Sequence, residues 1–213
     1  MTTTFSAASV DGGLYTWTVD LARHAPGPLD TVIKDWTTYG VILFGVLLVA
    51  CWWTARGRDA RRMAQALCAP LIVVVAFAAN DVVKTLVHEQ RPCRTLGPVA
   101  TLEACPAADD WSFPSNHTVI AAAAATAVLV LSRVLGILAA VAALAMAVSR
   151  VWVGAHYPHD VVAGLLVGVL IAWPLTLAAA RAAPAVERLR ASRVGAYVTA
   201  AEPRANGYAR AGS

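Results

Sequence analysis

Five stretches of the chain are apolar almost without interruption, at about 38–54, 64–87, 118–131, 134–153 and 160–180, and short polar segments divide them. Membrane strands would need polar and apolar residues to alternate, and these runs do not. A helix satisfies its own backbone hydrogen bonds in lipid, so each run reads as a spanning helix. A hydrocarbon core about 30 Å thick takes roughly 20 helical residues, with about 17 as a floor. The third run is therefore short, and polar residues at its ends must complete it. The pattern predicts an all-α polytopic membrane helix bundle of about five spanning helices.

Ahead of the first run, Leu14, Trp17 and Leu21 recur at helical spacing among Asp20, Arg23 and His24. That spacing fits an N-terminal helix lying in the membrane interface or partly inserted, and equally a short solvated helix. Pro26 and Pro28 break the chain, and 29–36 can lengthen the next helix outward. After Arg181 the sequence turns to Ala, Arg and Gly with Pro184 and Pro203, a tail expected to be largely disordered, above all from about Val194. The expected division is an interfacial segment 1–35, a transmembrane domain 36–181 and a tail 182–213. The first residues show neither a basic region nor an apolar stretch before a small-residue cleavage site, so the N-terminus is read as mature.

Composition agrees with a membrane solvent. Hydrophobic residues make up 58% and charged residues 14%, and the mean hydropathy of +0.60 is too apolar for an ordinary soluble domain. The net charge of +4 does not point to nucleic acid, because the basic residues cluster beside apolar runs rather than along a polar stripe. Arg56, Arg58, Arg61, Arg62, Arg133, Arg181, Arg188, Arg190, Arg193, Arg204 and Arg210 all fall on one side of the threaded chain. The positive-inside rule makes that side, with the C-terminus, cytoplasmic. The segments 88–116 and 154–159 then face outward.

Three segments on the outward side hold residues that are costly at a membrane edge. Lys84 and Arg91-Pro92 lie seven residues apart, about two helical turns, so a helix continuing to the neighbourhood of Arg91 aims both cations to one side. Two cations on one face imply an anion, although a snorkelling Lys84 and a surface Arg91 would look the same in isolation. Trp111-Ser112-Phe113-Pro114-Ser115-Asn116-His117 opens the third helix, with Ser115 as N-cap and free amides that form an anion site. Ser149-Arg150 and His156-Tyr157-Pro158-His159-Asp160 straddle a turn, and Pro158 suits the first turn of a helix. His156 can there reach back to Asp160, whose carboxylate would fix the tautomer and raise nucleophilicity. The bland alternative is an Arg150–Asp160 ion pair with structural histidines.

In order and spacing, these segments resemble the signature of the type 2 phosphatidic acid phosphatase superfamily. That signature is K-x6-R-P, P-S-G-H and S-R-x5-H-x3-D, and here it reads Lys84 to Arg91-Pro92, Pro114-Ser115-Asn116-His117, and Ser149-Arg150 to His156 and Asp160. The resemblance covers roughly 29–180 and is strongest to the bacitracin-resistance type of undecaprenyl-diphosphate phosphatase. Asn116 departs from the family glycine, which implies altered loop geometry or substrate preference. The resemblance implies His156 as nucleophile, His117 as general acid and base, and Asp160 as the residue that orients His156. Lys84, Arg91, Arg150, Ser115 and Asn116 are the expected phosphate-binding residues.

The expected activity removes the terminal phosphate of a polyprenyl diphosphate through a phosphohistidine at the extracytoplasmic face. Alternatives are a phosphatidylglycerophosphate or phosphatidic acid phosphatase, or a non-catalytic lipid-phosphate binding or transport protein with Asn80 and Asp81 lining a pathway. In the enzyme reading those two residues support Lys84 instead. A soluble vanadium haloperoxidase with a related site is opposed by the five apolar runs. Glu103 and Asp109-Asp110 look isolated, without metal-ligand spacing, so neither a metal nor another cofactor is expected. Cys93 and Cys105 flank the outward loop, where an oxidising compartment would allow a disulfide.

Overall fold

The computed structural model describes residues 8–96, 101–192 and 195–199. Helix α1 (Ala8–Arg23) precedes two long helices, α2 (Gly27–Ala55) and α3 (Ala60–Val87), and a single turn, α4 (Pro92–Thr95). Then come α5 (Asn116–Leu131), α6 (Arg133–Trp152) and α7 (Pro158–Ala179). After a tight turn at Ala180–Ala182 follow α8 (Ala183–Arg190) and α9 (Gly195–Val198). Among the described residues there is no strand. Helices α2, α3, α6 and α7 with its continuation are long and apolar enough to cross a membrane. Their outer faces expose Ile42, Val46, Val74, Leu138, Val141, Leu166 and Leu170, as a surface bathed in lipid would.

The bundle is built around α5. It has 16 residues, about 24 Å of helix at 1.5 Å per residue, and α7, α6, α3 and α2 all pack on it. Its run of alanines, Ala121 to Ala125 and Ala127, is buried all round. Small side chains let neighbouring backbones come close. On α7 the match is closer still, because a Cβ at Gly168 would lie 2.7 Å from Ala122 Cβ and from the Val119 carbonyl oxygen. A Cβ at Gly164 would lie 2.8 Å from the Ser115 carbonyl oxygen. This contact brings the starts of α5 and α7 together, and the Ser115 amide donates to the Asp160 carbonyl at 3.1 Å.

Helix ends follow from local chemistry. Pro28 sits in the first turn of α2, where no amide is needed, so 29–36 belong to one continuous helix with the first apolar run. Asp59 caps α3 by accepting from the Arg62 amide at 2.9 Å. The other end of α3 corrects the expected continuation to Arg91. His88 adopts a left-handed conformation (φ 52°, ψ 36°), its amide returns to the Lys84 carbonyl, and the helix stops at Val87. Pro92 then keeps Arg91 extended (φ −68°, ψ 148°). Between α5 and α6 stands Ser132 alone, the last cap of one helix and the first of the next.

The tail is also more ordered than its composition implies. Over α8, Val186 is buried against Ala60, Met63 and Ala64 of α3, and α9 docks through the Val198 carbonyl, which accepts from Trp52 Nε1 at 3.2 Å. Residues 193–194 and 200–213, which hold most of the expected disorder, lie outside the described residues. At the opposite end of the bundle α1 packs on α6, α7 and α4. Tyr15 is fully buried there and donates to the Gly154 carbonyl at 3.0 Å, while Leu14, Trp17 and Leu21 stay exposed.

Candidate active site

The turn after α6 carries His156 into a closed setting. Gly154 takes φ +81°, a conformation that favours glycine, and the amides of Ala155 and His156 both return to the Arg150 carbonyl. His156 is 2% exposed. Its Nδ1 lies 3.2 Å from Asp160 Oδ2 and its Nε2 lies 3.3 Å from Arg91 Nη1. The network assigns the tautomer, with Nδ1–H donating to the carboxylate and Nε2 left as an acceptor. Burial pushes the His156 imidazole down to about 4. The hydrogen bond and charge of Asp160 oppose that shift, and Arg91 and Arg150 reinforce it. The ring is therefore neutral at physiological pH, the state a nitrogen nucleophile needs.

Asp160 is held from three directions. Its Oδ2 accepts from Ser112 Oγ at 2.5 Å and from the Tyr157 amide at 2.8 Å, besides His156. Ser112 is fully buried, and its amide donates to the Glu89 carbonyl at 2.7 Å. Ser112 stands two residues before Pro114, a position to which the second motif assigns no role. Its partner in space, Asp160, is 48 residues away. The Arg150–Asp160 ion pair considered from sequence is not formed.

The cations converge as well, though through a different path. Lys84, Arg91 and Arg150 are each about 5–6% exposed. Arg91 donates from Nη1 to the Ala155 carbonyl and from Nε to the Asp110 carbonyl, both at 2.9 Å. Asp110 Oδ1 lies 2.9 Å from Arg91 Nη2 and 3.4 Å from Lys84 Nζ. Arg150 donates to Thr37 Oγ1 at 2.8 Å and faces both oxygens of Glu103, at 3.2 and 3.0 Å. Glu103 and Asp110, which look isolated along the chain, are thus the cations' partners. Burial alone would raise the Asp110 carboxyl, but Arg91 and Lys84 outweigh it and hold it below the usual range.

The Pro114–His117 segment supplies the remaining wall. Ser115 occupies the N-cap position of α5, yet its hydroxyl accepts from Thr118 Oγ1 at 3.0 Å rather than from an α5 amide. Asn116 Oδ1 accepts from Asn80 Nδ2 at 2.7 Å. The buried Asn80 therefore braces this segment, which corrects the expectation that it supports Lys84. His117 is half-buried in the first turn of α5, within electrostatic reach of Arg150, Glu103, Arg91 and Lys84. Cys93 and Cys105 are joined in a disulfide with Cα atoms 6.0 Å apart, which closes the loop that carries Glu103.

A second cluster lies beside the first. His159 places Nδ1 2.9 Å from Asp11 Oδ1 and Nε2 2.9 Å from Glu89 Oε1, and its ring stacks on Tyr157 at 5.3 Å. Ligand atoms of Glu89, His159 and Asp160 all fall within 4.8 Å of one another. Both imidazole nitrogens are already engaged by carboxylates, so hydrogen bonding accounts for this closeness. The cluster fastens α1 to the start of α7.

Residues 65–183 match the PAP2 superfamily family model. The chain is 31% identical to undecaprenyl-diphosphatase BcrC of Bacillus subtilis over 148 residues, 70% of this chain and 74% of the other. It is 32% identical to the bacitracin transport permease protein BcrC of Bacillus licheniformis, over 68% of each chain. It is 36% identical to an undecaprenyl-diphosphatase of Sulfolobus acidocaldarius over 47% of this chain and 48% of the other. The crystal structure of a transmembrane PAP2 type phosphatidylglycerolphosphate phosphatase from Bacillus subtilis superposes with a TM-score of 0.59 at 22% identity. That match covers 79% of this chain and 83% of that one, a likeness of fold.

Proposed function

The chain belongs to the PAP2 superfamily, and on that premise we propose that it is a membrane phosphatase that removes the terminal phosphate of a polyprenyl diphosphate, undecaprenyl diphosphate above all. The observation that carries the chemistry is the posture of His156. Asp160 holds its Nδ1 at 3.2 Å, and Arg91 marks at 3.3 Å from Nε2 the place where a phosphoryl oxygen would sit.

In the first step His156 Nε2 attacks the terminal phosphorus in line. A nitrogen–phosphorus bond forms as the bridging oxygen–phosphorus bond breaks, and the departing lipid monophosphate takes a proton from His117. In the second step His117 takes a proton from water, whose oxygen attacks the phosphohistidine. Inorganic phosphate leaves and His156 is regenerated. Lys84, Arg91 and Arg150 neutralise the non-bridging oxygens together with amides at the start of α5, the task preorganised charge performs in phosphoryl transfer. Ser112 and Asp160 keep the imidazole aligned.

The substrate assignment draws on the relatives named undecaprenyl-diphosphatases and on a site beside lipid-exposed helix faces. A headgroup can enter while its tail stays in the bilayer. The clustered arginines at the far end of the bundle support an extracytoplasmic site and a cytoplasmic C-terminus. The test is phosphate release by purified protein in EDTA, comparing undecaprenyl diphosphate, phosphatidylglycerophosphate and phosphatidic acid. The diphosphate is expected to turn over fastest and His156→Ala to release nothing. Equal activity of that variant, or preference for phosphatidylglycerophosphate, overturns the assignment.

A further inference from the structure

Every cation given to the substrate phosphate already faces a carboxylate. Asp110 lies on Arg91 and Lys84, and Glu103 lies on Arg150. The two partners differ in setting, because the cation side chains are 6–7% exposed while those of Asp110 and Glu103 are 47% and 33% exposed. Buried charges are thus covered by anions that are themselves partly exposed. A carboxylate also presents oxygens to a guanidinium much as a phosphoryl group does.

The backbone of both acidic residues is fastened independently of their side-chain ion pairs. The Glu103 amide donates to the Val153 carbonyl at 3.3 Å, its carbonyl accepts from Thr101 Oγ1 at 2.6 Å, and the bridged Cys105 stands two residues on. The Asp110 amide donates to the Ala107 carbonyl at 3.1 Å, and its carbonyl accepts from Arg91 Nε at 2.9 Å. Either carboxylate can rotate away while the chain that bears it stays in place.

We propose that Glu103 and Asp110 are built-in counter-ions that fill two anion subsites, one at Arg150 and Thr37 and one at Arg91 and Lys84, and that the substrate binds by displacing them. The inference rests on the reading of this site as the phosphate site. It makes the two residues determinants of specificity. A headgroup must carry enough negative charge to outcompete both carboxylates, and two subsites suit a headgroup with two phosphorus atoms. Phosphate left after turnover meets returning carboxylates, which favours its release. Removing either one leaves cations buried and open, so a small free anion binds more tightly.

The test uses the full chain in detergent and inorganic phosphate as probe, with affinity read by calorimetry for the parent, Glu103→Gln and Asp110→Asn. Each substitution is expected to tighten phosphate binding at least about threefold, the effect of a partly exposed ion pair. Unchanged or weaker binding in a folded variant overturns the proposal. Should Glu103→Gln not fold, Asp110→Asn and the shortened Glu103→Asp carry the same expectation. Phosphate affinity does not depend on which lipid is a substrate. Tightening without turnover of any lipid phosphate refutes the function proposed above and leaves the counter-ions standing. Turnover without tightening, including no phosphate binding in any form, refutes the counter-ions alone.

Discussion

Arg91 Nη1 donates toward His156 Nε2 at 3.3 Å from a residue 65 positions earlier in the chain. The same nitrogen donates to the Ala155 carbonyl at 2.9 Å, so the guanidinium is fixed to the backbone next to the ring it faces. A planar, forked cation in that place can hold a phosphoryl group against Nε2, the atom proposed to attack it. An ammonium cannot reproduce both contacts. Arg91→Lys is expected to lower kcat/KM by about a hundredfold. Steady-state phosphate release measures it, and a loss below about threefold would separate Arg91 from the reacting group.

Ser112 offers a milder perturbation around His156. Its hydroxyl is one of three donors to Asp160 Oδ2, and a hydrogen bond to a charged acceptor contributes about 1.5–3 kcal/mol. Ser112→Ala is expected to reduce kcat about tenfold or more with little change in KM, and Ser112→Thr to restore part of it. A fall in KM affinity with kcat intact would place Ser112 in substrate binding.

The neutral His156 also couples stability to pH. Its imidazole is lowered from 6.5 to about 4 on folding, so between those values the unfolded chain binds the extra proton. The stabilisation is fully present above about pH 6.5 and is lost as pH falls toward 4. Thermal unfolding in detergent is expected to show that decline, flattened in His156→Gln. An identical slope in both proteins would mean that His156 is not the group responsible.

The contact between α5 and α7 leaves no room at Gly168. Gly168→Leu is expected to lower stability by about 1–3 kcal/mol, the range for overpacking a close contact. Loss of the midpoint of thermal unfolding, with activity falling alongside because Ser115 and Asp160 separate, is the readout.

Reduction of the Cys93–Cys105 bridge is expected to loosen the segment that carries Glu103. Closed loops of this size contribute about 3 kcal/mol in the chain-entropy view, and reductant should lower the unfolding temperature of the parent but not of Cys93→Ser/Cys105→Ser. Labelling of both thiols in non-reduced protein would rule the bridge out.

Much of this molecule is legible along the chain. Apolar runs locate α2, α3, α5, α6 and α7 within a few residues of their ends, apart from the N-terminal extension of α2, because lipid leaves a helix few other options. The three motifs carry the cations and histidines because their spacing is local. What escapes is whatever closes the site from afar. Nothing periodic announces that His88 will turn left-handed, that Glu103 will meet Arg150, or that Asp110 will meet Lys84, since those residues sit in a loop without regular pattern. The helix at 183–190 was hidden by its arginines, yet Val186 finds a buried place on α3. Thr37 could have been found by asking which polar residue on the first run faces the bundle.

Helix α5 is too short and too small-sided to hold a place in a bilayer alone, and the single residue Ser132 ties it to α6. The two helices therefore form a hairpin in which α6 supplies the exposed apolar surface, through Val134, Leu138 and Val141, that the buried α5 lacks. His117 rides on the dependent arm of that hairpin, and His156 follows only with the turn beyond α6. His117 and His156 thus stand at the open end of one hairpin, whose closed end is Ser132.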